Sequence, residues 1–100
     1  MPQHLEALKL ANEIRKQRAQ LKQKIKEEPS LVIDLMQEPP EYIHTMKVET
    51  LLLAVPRFGR GKVDRIIRAA RMSWKTQVGD LTAQRRDELT FVIRRYLKLT

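Results

Sequence analysis

From Gln3 to Glu28 the chain contains neither proline nor glycine, and its residues are mostly Leu, Ala, Lys, Gln and Glu. These side chains lose little freedom in a helix, so the stretch predicts one long helix that Pro29 terminates. Ala7, Leu10, Ile14, Leu21 and Ile25 recur at gaps of three, four and seven, which places them in one stripe. Arg18 stands where that stripe should continue, so the expected contact with a core is partial. Between Ile14 and Glu27 lie Arg15, Lys16, Arg18, Lys22, Lys24 and Lys26, with no acidic residue. A helix that gives up i,i+4 ion pairs in this way is either a solvated face or a rod lying against phosphates.

The rest of the chain is cut into shorter pieces that also read as helices. Ser30 to Gln37 predicts a short helix capped by Ser30, with Leu31, Ile33 or Asp34, and Leu35 to Met36 supplying a mostly apolar face. Pro39 and Pro40 stop it, and "PPEYIHTM" predicts one further turn in which Tyr42, Ile43 and Met46 pack. The expected class is therefore all-α: a long N-terminal helix, residues 1–28; a linker with short helices, 29–46; and a compact helical module, 47–100.

Charge separates these parts. The chain carries 20 Lys and Arg against 12 Asp and Glu, a formal net charge of +8. Residues 1–46 are balanced, so the whole excess belongs to residues 47–100. That balance favours a polyanion, with nucleic acid the first candidate and an anionic membrane surface the second. No apolar run approaches the length of a membrane span and no secretory signal is recognisable, so the expected location is the cytoplasm. There are no cysteines, which excludes disulfides, zinc fingers and thiol nucleophiles. His4 and His44 are too far apart for a local metal motif, and His44 is expected at the surface or satisfied within the core. Without a phosphate loop or a catalytic Ser, His and Asp set, the chain reads as a binder, not an enzyme, with no cofactor and no small-molecule substrate.

The segment "LLAVPRFGRGKVDRI" points to where binding occurs. "VETLLLAV" predicts a short helix ended by Pro56, and a second helix from about Gly61 to Met72 turns Val63, Ile66, Ile67 and Ala70 inward and Arg65, Arg68 and Arg71 outward. Between them "PRFGRG" must reverse the chain. Gly59 and Gly61 allow a positive φ, or a close approach to a partner without a Cβ in the way. Phe58 is expected to plug the turn onto the core. Arg57, Arg60 and Lys62 surround a helix N-terminus, where cations oppose the helix dipole unless an anion is bound. Converging N–H groups and that dipole make the corner a phosphate cradle.

A second basic helix start follows. "WKTQVGDL" reads as two turns closed by Gly79, and Thr82 can cap a last helix that turns Leu89, Val92, Ile93 and Tyr96 inward. Gln84, Arg85 and Arg86 occupy its first turn, where an acidic residue would ordinarily complete the capping box. This predicts a second phosphate contact. Trp74 is expected to anchor the core and not to stack on a base.

The order of hairpin, helix, two turns and basic helix start resembles the helix-two-turns-helix DNA-binding module. More narrowly, "MKVETLLLAVPRFGRGKVDRII" with "LTAQRRDEL" resembles the actinobacterial integration host factor family across residues 46 to about 97, and only in architecture before that. The resemblance implies a nucleoid-associated protein that binds double-stranded DNA through its backbone, bends or compacts it, and performs no catalysis; a monomer is one state open to it, since the sequence does not give the oligomeric state. The positions carried over are Arg57, Phe58, Gly59, Arg60, Gly61 and Lys62 at the hairpin and Thr82, Gln84, Arg85 and Arg86 at the last helix. Independently of the resemblance, arginines of the second hairpin helix, or Arg15, Arg18 and Lys22 of the rod, are expected to widen the contact. Three rivals follow from the same features. The hairpin could serve an RNA-binding ribosomal-type protein, which would prefer folded RNA. A base-excising glycosylase shares such turns but needs a pocket that 100 residues cannot supply. A membrane-surface arm at residues 3–28 would lack aromatic anchors.

Overall fold

A computed structural model describes residues 2–97, with side chains from Leu5 onward, so the His4 side chain lies outside the described residues. The fold is helical, as expected: α1 (Pro2–Glu27), α2 (Leu31–Gln37), a 3-10 turn at Glu41–Ile43, α3 (Val48–Leu53), α4 (Arg60–Ala69), a 3-10 turn at Val78–Asp80, and α5 (Ala83–Tyr96). Among the described residues no strand forms, although Lys47 and Gln77 make an isolated antiparallel bridge.

The inward positions of the last two long helices are those their spacing predicts. Val63, Ile66, Ile67 and Ala70 of the α4 segment and Leu89 and Ile93 of α5 are buried, while Val92 and Tyr96 are half-buried. Each fully buried aliphatic side chain contributes about 1.5–3 kcal/mol relative to exposure, so these residues dominate the stability of the domain. Residues 29–46 do more than connect: Val32, Ile33, Leu35 and Met36 of α2, with Ile43 and Met46 beyond it, belong to the same core. Ser30 does not cap α2. It is itself helical in conformation, and the first turn is closed instead by backbone bonds from Leu31, Val32 and Ile33 to the carbonyls of Glu28, Pro29 and Ser30.

Only the C-terminal part of the α1 stripe meets that core. Leu21 and Ile25 are buried and Ile14 is half-buried, whereas Ala7 and Leu10 face solvent. A helix of this length is about 39 Å long, and it stretches the molecule to 51 × 27 × 22 Å. Arg18, the break in the stripe, is a fastening point. Its Nε donates to the Tyr42 carbonyl at 2.8 Å and one terminal nitrogen donates to Thr45 Oγ1 at 2.7 Å, tying the rod to the Glu41–Ile43 turn.

The two 3-10 turns meet at Gly79. Its N–H donates to the His44 carbonyl at 2.9 Å, and a methyl group added there would lie 2.9 Å from His44 Cβ and 3.0 Å from the His44 carbonyl oxygen. Glycine is required by this approach, and not by a positive φ. Overpacking of this kind typically costs about 1–3 kcal/mol. Gly79→Ala is therefore expected to lower unfolding stability by that amount in urea denaturation, the largest cost among alanine replacements at Gly59, Gly61 and Gly79.

Candidate nucleic-acid interface

The corner begins where α3 ends. Phe58 N–H donates to the Val55 carbonyl at 3.1 Å, closing a four-residue turn with Pro56 second and Arg57 third. Proline fixes φ at the second position, and Arg57 has φ 70°, the combination of a type II turn. The third position of such a turn favours glycine, and a left-handed residue with a Cβ costs on the order of 1 kcal/mol. The expectation of a positive φ at the glycines is thus corrected: the left-handed position is Arg57, no described glycine has a positive φ, and Gly59 is the extended N-cap of α4 at φ −78°, ψ 174°.

Phe58 is 5% exposed and fills the core beneath the turn, as a plug should. Lys62 Nζ lies 5.3 Å from the centroid of its ring, so one of the corner's cations is held against the plug. Outside, Pro56, Arg57, Gly59, Arg60 and Gly61 are exposed. Among the described residues, the amides of Gly59, Arg60, Gly61 and Lys62 donate to no backbone oxygen, and Gly59 offers no side-chain cap. Val63 N–H, bonded to the Gly59 carbonyl at 3.0 Å, is the first to be satisfied. The first turn of α4 holds no acid. The nearest carboxylate, Glu49, approaches the Arg60 guanidinium at 3.9 Å, a weak contact for an arginine side chain 86% exposed. A Cβ at Gly59 or Gly61 would meet nothing within 4 Å, so nothing crowds the side-chain position of either glycine.

The corner opens on a cleft of about 500 Å³ lined by Arg57, Phe58 and Lys62 on one side and by Pro29 and Ser30, just beyond α1, on another. The rod therefore ends beside the corner. Along it Arg15, Arg18, Lys22 and Lys26 follow at intervals of three and four, one strip about 17 Å long. Arg15 is exposed and Lys22 half-buried, while Arg18 is committed to Tyr42 and Thr45.

At the start of α5 the predicted cap is present: Thr82 Oγ1 accepts from Arg85 N–H at 3.2 Å. Its cations point elsewhere. Arg86, half-buried, donates to the Met36 carbonyl at 2.8 Å and to the Val78 carbonyl at 3.1 Å, stapling α2 and the Val78–Asp80 turn to α5. Arg85 donates to the Arg71 carbonyl at 2.7 Å, and Gln84 reaches Glu88 on its own helix at 3.4 Å. Arg85 remains exposed. The carbonyl it meets belongs to a second left-handed arginine, Arg71 at φ 59°, which ends α4 with Met72 N–H bonded back to Ile67 and Arg71 N–H to Arg68.

Trp74 is the clearest departure from expectation. It does not anchor the core; it is 56% exposed, with Lys47 Nζ 4.8 Å and Lys75 Nζ 5.3 Å from its ring centroid. Val48, Leu51 and Val78, from the segments on either side, are buried in the core. No local pattern could place it, because "SWKT" forms a turn whose tip points outward: Thr76 N–H donates to the Ser73 carbonyl at 3.0 Å and Lys75 N–H to Ser73 Oγ at 3.1 Å. The available signal is an aromatic set between Ser73 and Lys75 in a short polar stretch.

Among the described residues no group of three metal-binding side chains occurs, and no helix is long and apolar enough to cross a membrane. His44 is exposed, with Nε2 3.0 Å from the Pro39 carbonyl oxygen. No family model, curated protein or solved structure matches the chain.

The two arginines of α5 should separate cleanly. Arg86→Ala leaves two carbonyls without their charged donor and is expected to cost about 2–3 kcal/mol of unfolding stability. Arg85→Ala, at an exposed position, is expected to stay within about 1 kcal/mol of the parent in the same denaturation experiment.

Proposed function

We propose that the protein binds double-stranded DNA through its phosphate backbone, with little dependence on sequence, and acts as a nucleoid-associated architectural protein of the kind its resemblance to the actinobacterial integration host factor family implies. The observation that carries this reading is the start of α4: four amides without a backbone acceptor, no capping side chain, nothing crowding the side-chain positions of Gly59 and Gly61, and Arg57, Arg60 and Lys62 around them. A folded domain gains nothing by crowding cations at the positive end of a helix dipole. A phosphate placed there accepts the amides, is attracted by the dipole and neutralises the cations.

The remaining contacts follow from charge and position. Arg15, Lys22 and Lys26 of α1 extend the basic surface from the corner along the rod, and Arg85 adds an exposed cation near the start of α5. Arg86 and Arg18 support the interface by holding elements in place. If the rod meets the duplex on another face than the corner does, engaging both bends the DNA, at an elastic cost of about 1–6 kcal/mol offset by the added contacts.

Binding of this kind releases counterions. About six neutralised phosphates give a slope of roughly −5 in a plot of log affinity against log salt. Arg57→Glu combined with Lys62→Glu should weaken duplex binding far more than Arg94→Glu combined with Arg95→Glu, two exposed residues that line neither the corner nor its cleft. Equal losses, or a slope near zero, contradict the proposal. Preference for folded RNA over duplex DNA in the same competition transfers the site to the ribosomal-type alternative.

Gly61→Ala tests the role of the amides themselves. Inside α4, with nothing within 4 Å of the added methyl, alanine should raise stability by up to about 1 kcal/mol. The same methyl stands between the amides and a phosphate, so duplex affinity should fall while thermal stability rises.

A further inference from the structure

A second groove lies on the other side of Arg60. It measures about 630 Å³ and is lined by Lys47, Glu49, Thr50, Arg60, Asp64 and Trp74, among others. We propose that this groove receives an unpaired nucleobase stacked on Trp74, in a strand whose phosphates pass Lys47, Lys75 and Arg60. The inference rests on the nucleic-acid reading above and adds a preference that the corner alone does not supply.

Three observations select this occupant. Trp74 is a large aromatic left 56% exposed, at the tip of a turn and not on a mobile terminus. The backbone of its turn is anchored: Val48 N–H donates to the Thr76 carbonyl at 2.9 Å and Val78 N–H to the Met46 carbonyl at 2.8 Å, so Lys47 and the Trp74 turn are held beside each other. Preorganised aromatic surface is what stacking requires. The charge pattern is the second selector. Glu49 approaches Arg60 at 3.9 Å and Asp64 approaches Arg68 at 3.2 Å, which makes the groove floor mixed in charge and unsuited to a phosphate. A base fits there, since its exocyclic N–H groups can donate to carboxylates and to the Thr50 hydroxyl. Lys47 and Lys75 hold their Nζ over the indole at 4.8 and 5.3 Å, so an entering base displaces a lysine from the ring face and frees that cation for the flanking phosphates. The third selector is continuity: Arg60 belongs both to this groove and to the phosphate corner. One strand can therefore present its backbone to the amides of α4 and a neighbouring base to Trp74.

Stacking on an aromatic contributes enough for roughly a five- to hundredfold preference. Trp74 is the only tryptophan, so its emission reports occupancy directly. The full chain is titrated with three DNAs of one sequence: an intact duplex with closed ends, the same duplex carrying one unpaired base, and the single strand. The expected result is tighter binding of the duplex with the unpaired base than of the intact duplex, with quenching of Trp74 confined to the DNAs that offer an unpaired base. Trp74→Ala should equalise the two duplex affinities while leaving the intact-duplex affinity unchanged, and Trp74→Phe should restore part of the preference. Equal affinities with no change in emission overturn the inference and leave the duplex-binding reading intact. Equal quenching by the intact duplex also overturns it. Failure to bind any of the three DNAs overturns both.

Discussion

Four backbone amides at the start of α4, Gly59 to Lys62, find no backbone acceptor among the described residues, and everything else about the proposed interface follows from how they are kept that way. Helix starts ordinarily hide this problem with a capping side chain or an acidic first turn. At α5 the chain does so with Thr82. At α4 it uses a glycine that cannot cap and flanks it with cations. The arrangement is held open by Phe58, whose burial fixes the turn to the core, and by the Val55 carbonyl, which ties down the Phe58 amide. With Phe58 locked inward and Pro56 restricted, Arg57 is forced into the left-handed conformation and projects into solvent. Local strain and electrostatic repulsion thus meet in the same few residues, as at sites adapted to bind and not to maximise stability.

The arginines divide between two kinds of work. Arg18 and Arg86 are long enough to reach carbonyls on distant segments and hold the molecule together: one fastens the rod to the domain, the other joins α2 to α5. Arg57 and Arg60 are exposed, and Arg60 has only a loose carboxylate neighbour. Charge composition does not distinguish these roles. Only the fold reveals which guanidinium groups remain available to an anion: Arg57 and Arg60 at the corner and Arg15 on the projecting helix are among them, as are Arg65, Arg94 and Arg95 elsewhere on the surface.

The distinction also explains what the sequence made legible. Positions governed by local periodicity were readable: the buried face of α4, the Leu89 and Ile93 pair of α5, the stop at Pro29, the cap at Thr82. The exposed corner was readable too, because proline and glycine constrain the chain over a few residues. Side chains whose partners lie far away in sequence were not. Arg18 meets Tyr42, and Arg86 meets Met36, through contacts spanning 24 and 50 residues. Nothing in local spacing predicts such partners. Trp74 escapes local spacing for a related reason: a large aromatic is usually buried, but here its side chain is 56% exposed while the neighbouring Val48, Leu51 and Val78 are in the core. The glycines were identified as important, but the left-handed position fell two residues earlier, on Arg57.

The most direct test is an amide-resolved NMR titration of the full chain with a short closed-end duplex. The account predicts that the N–H resonances of Gly59, Arg60, Gly61 and Lys62 shift downfield first and most, as each acquires a phosphate acceptor. Binding that leaves these four unmoved while shifting resonances of α1 or α5 would show that the duplex is held by diffuse charge, and the cradle at α4 would have to be abandoned.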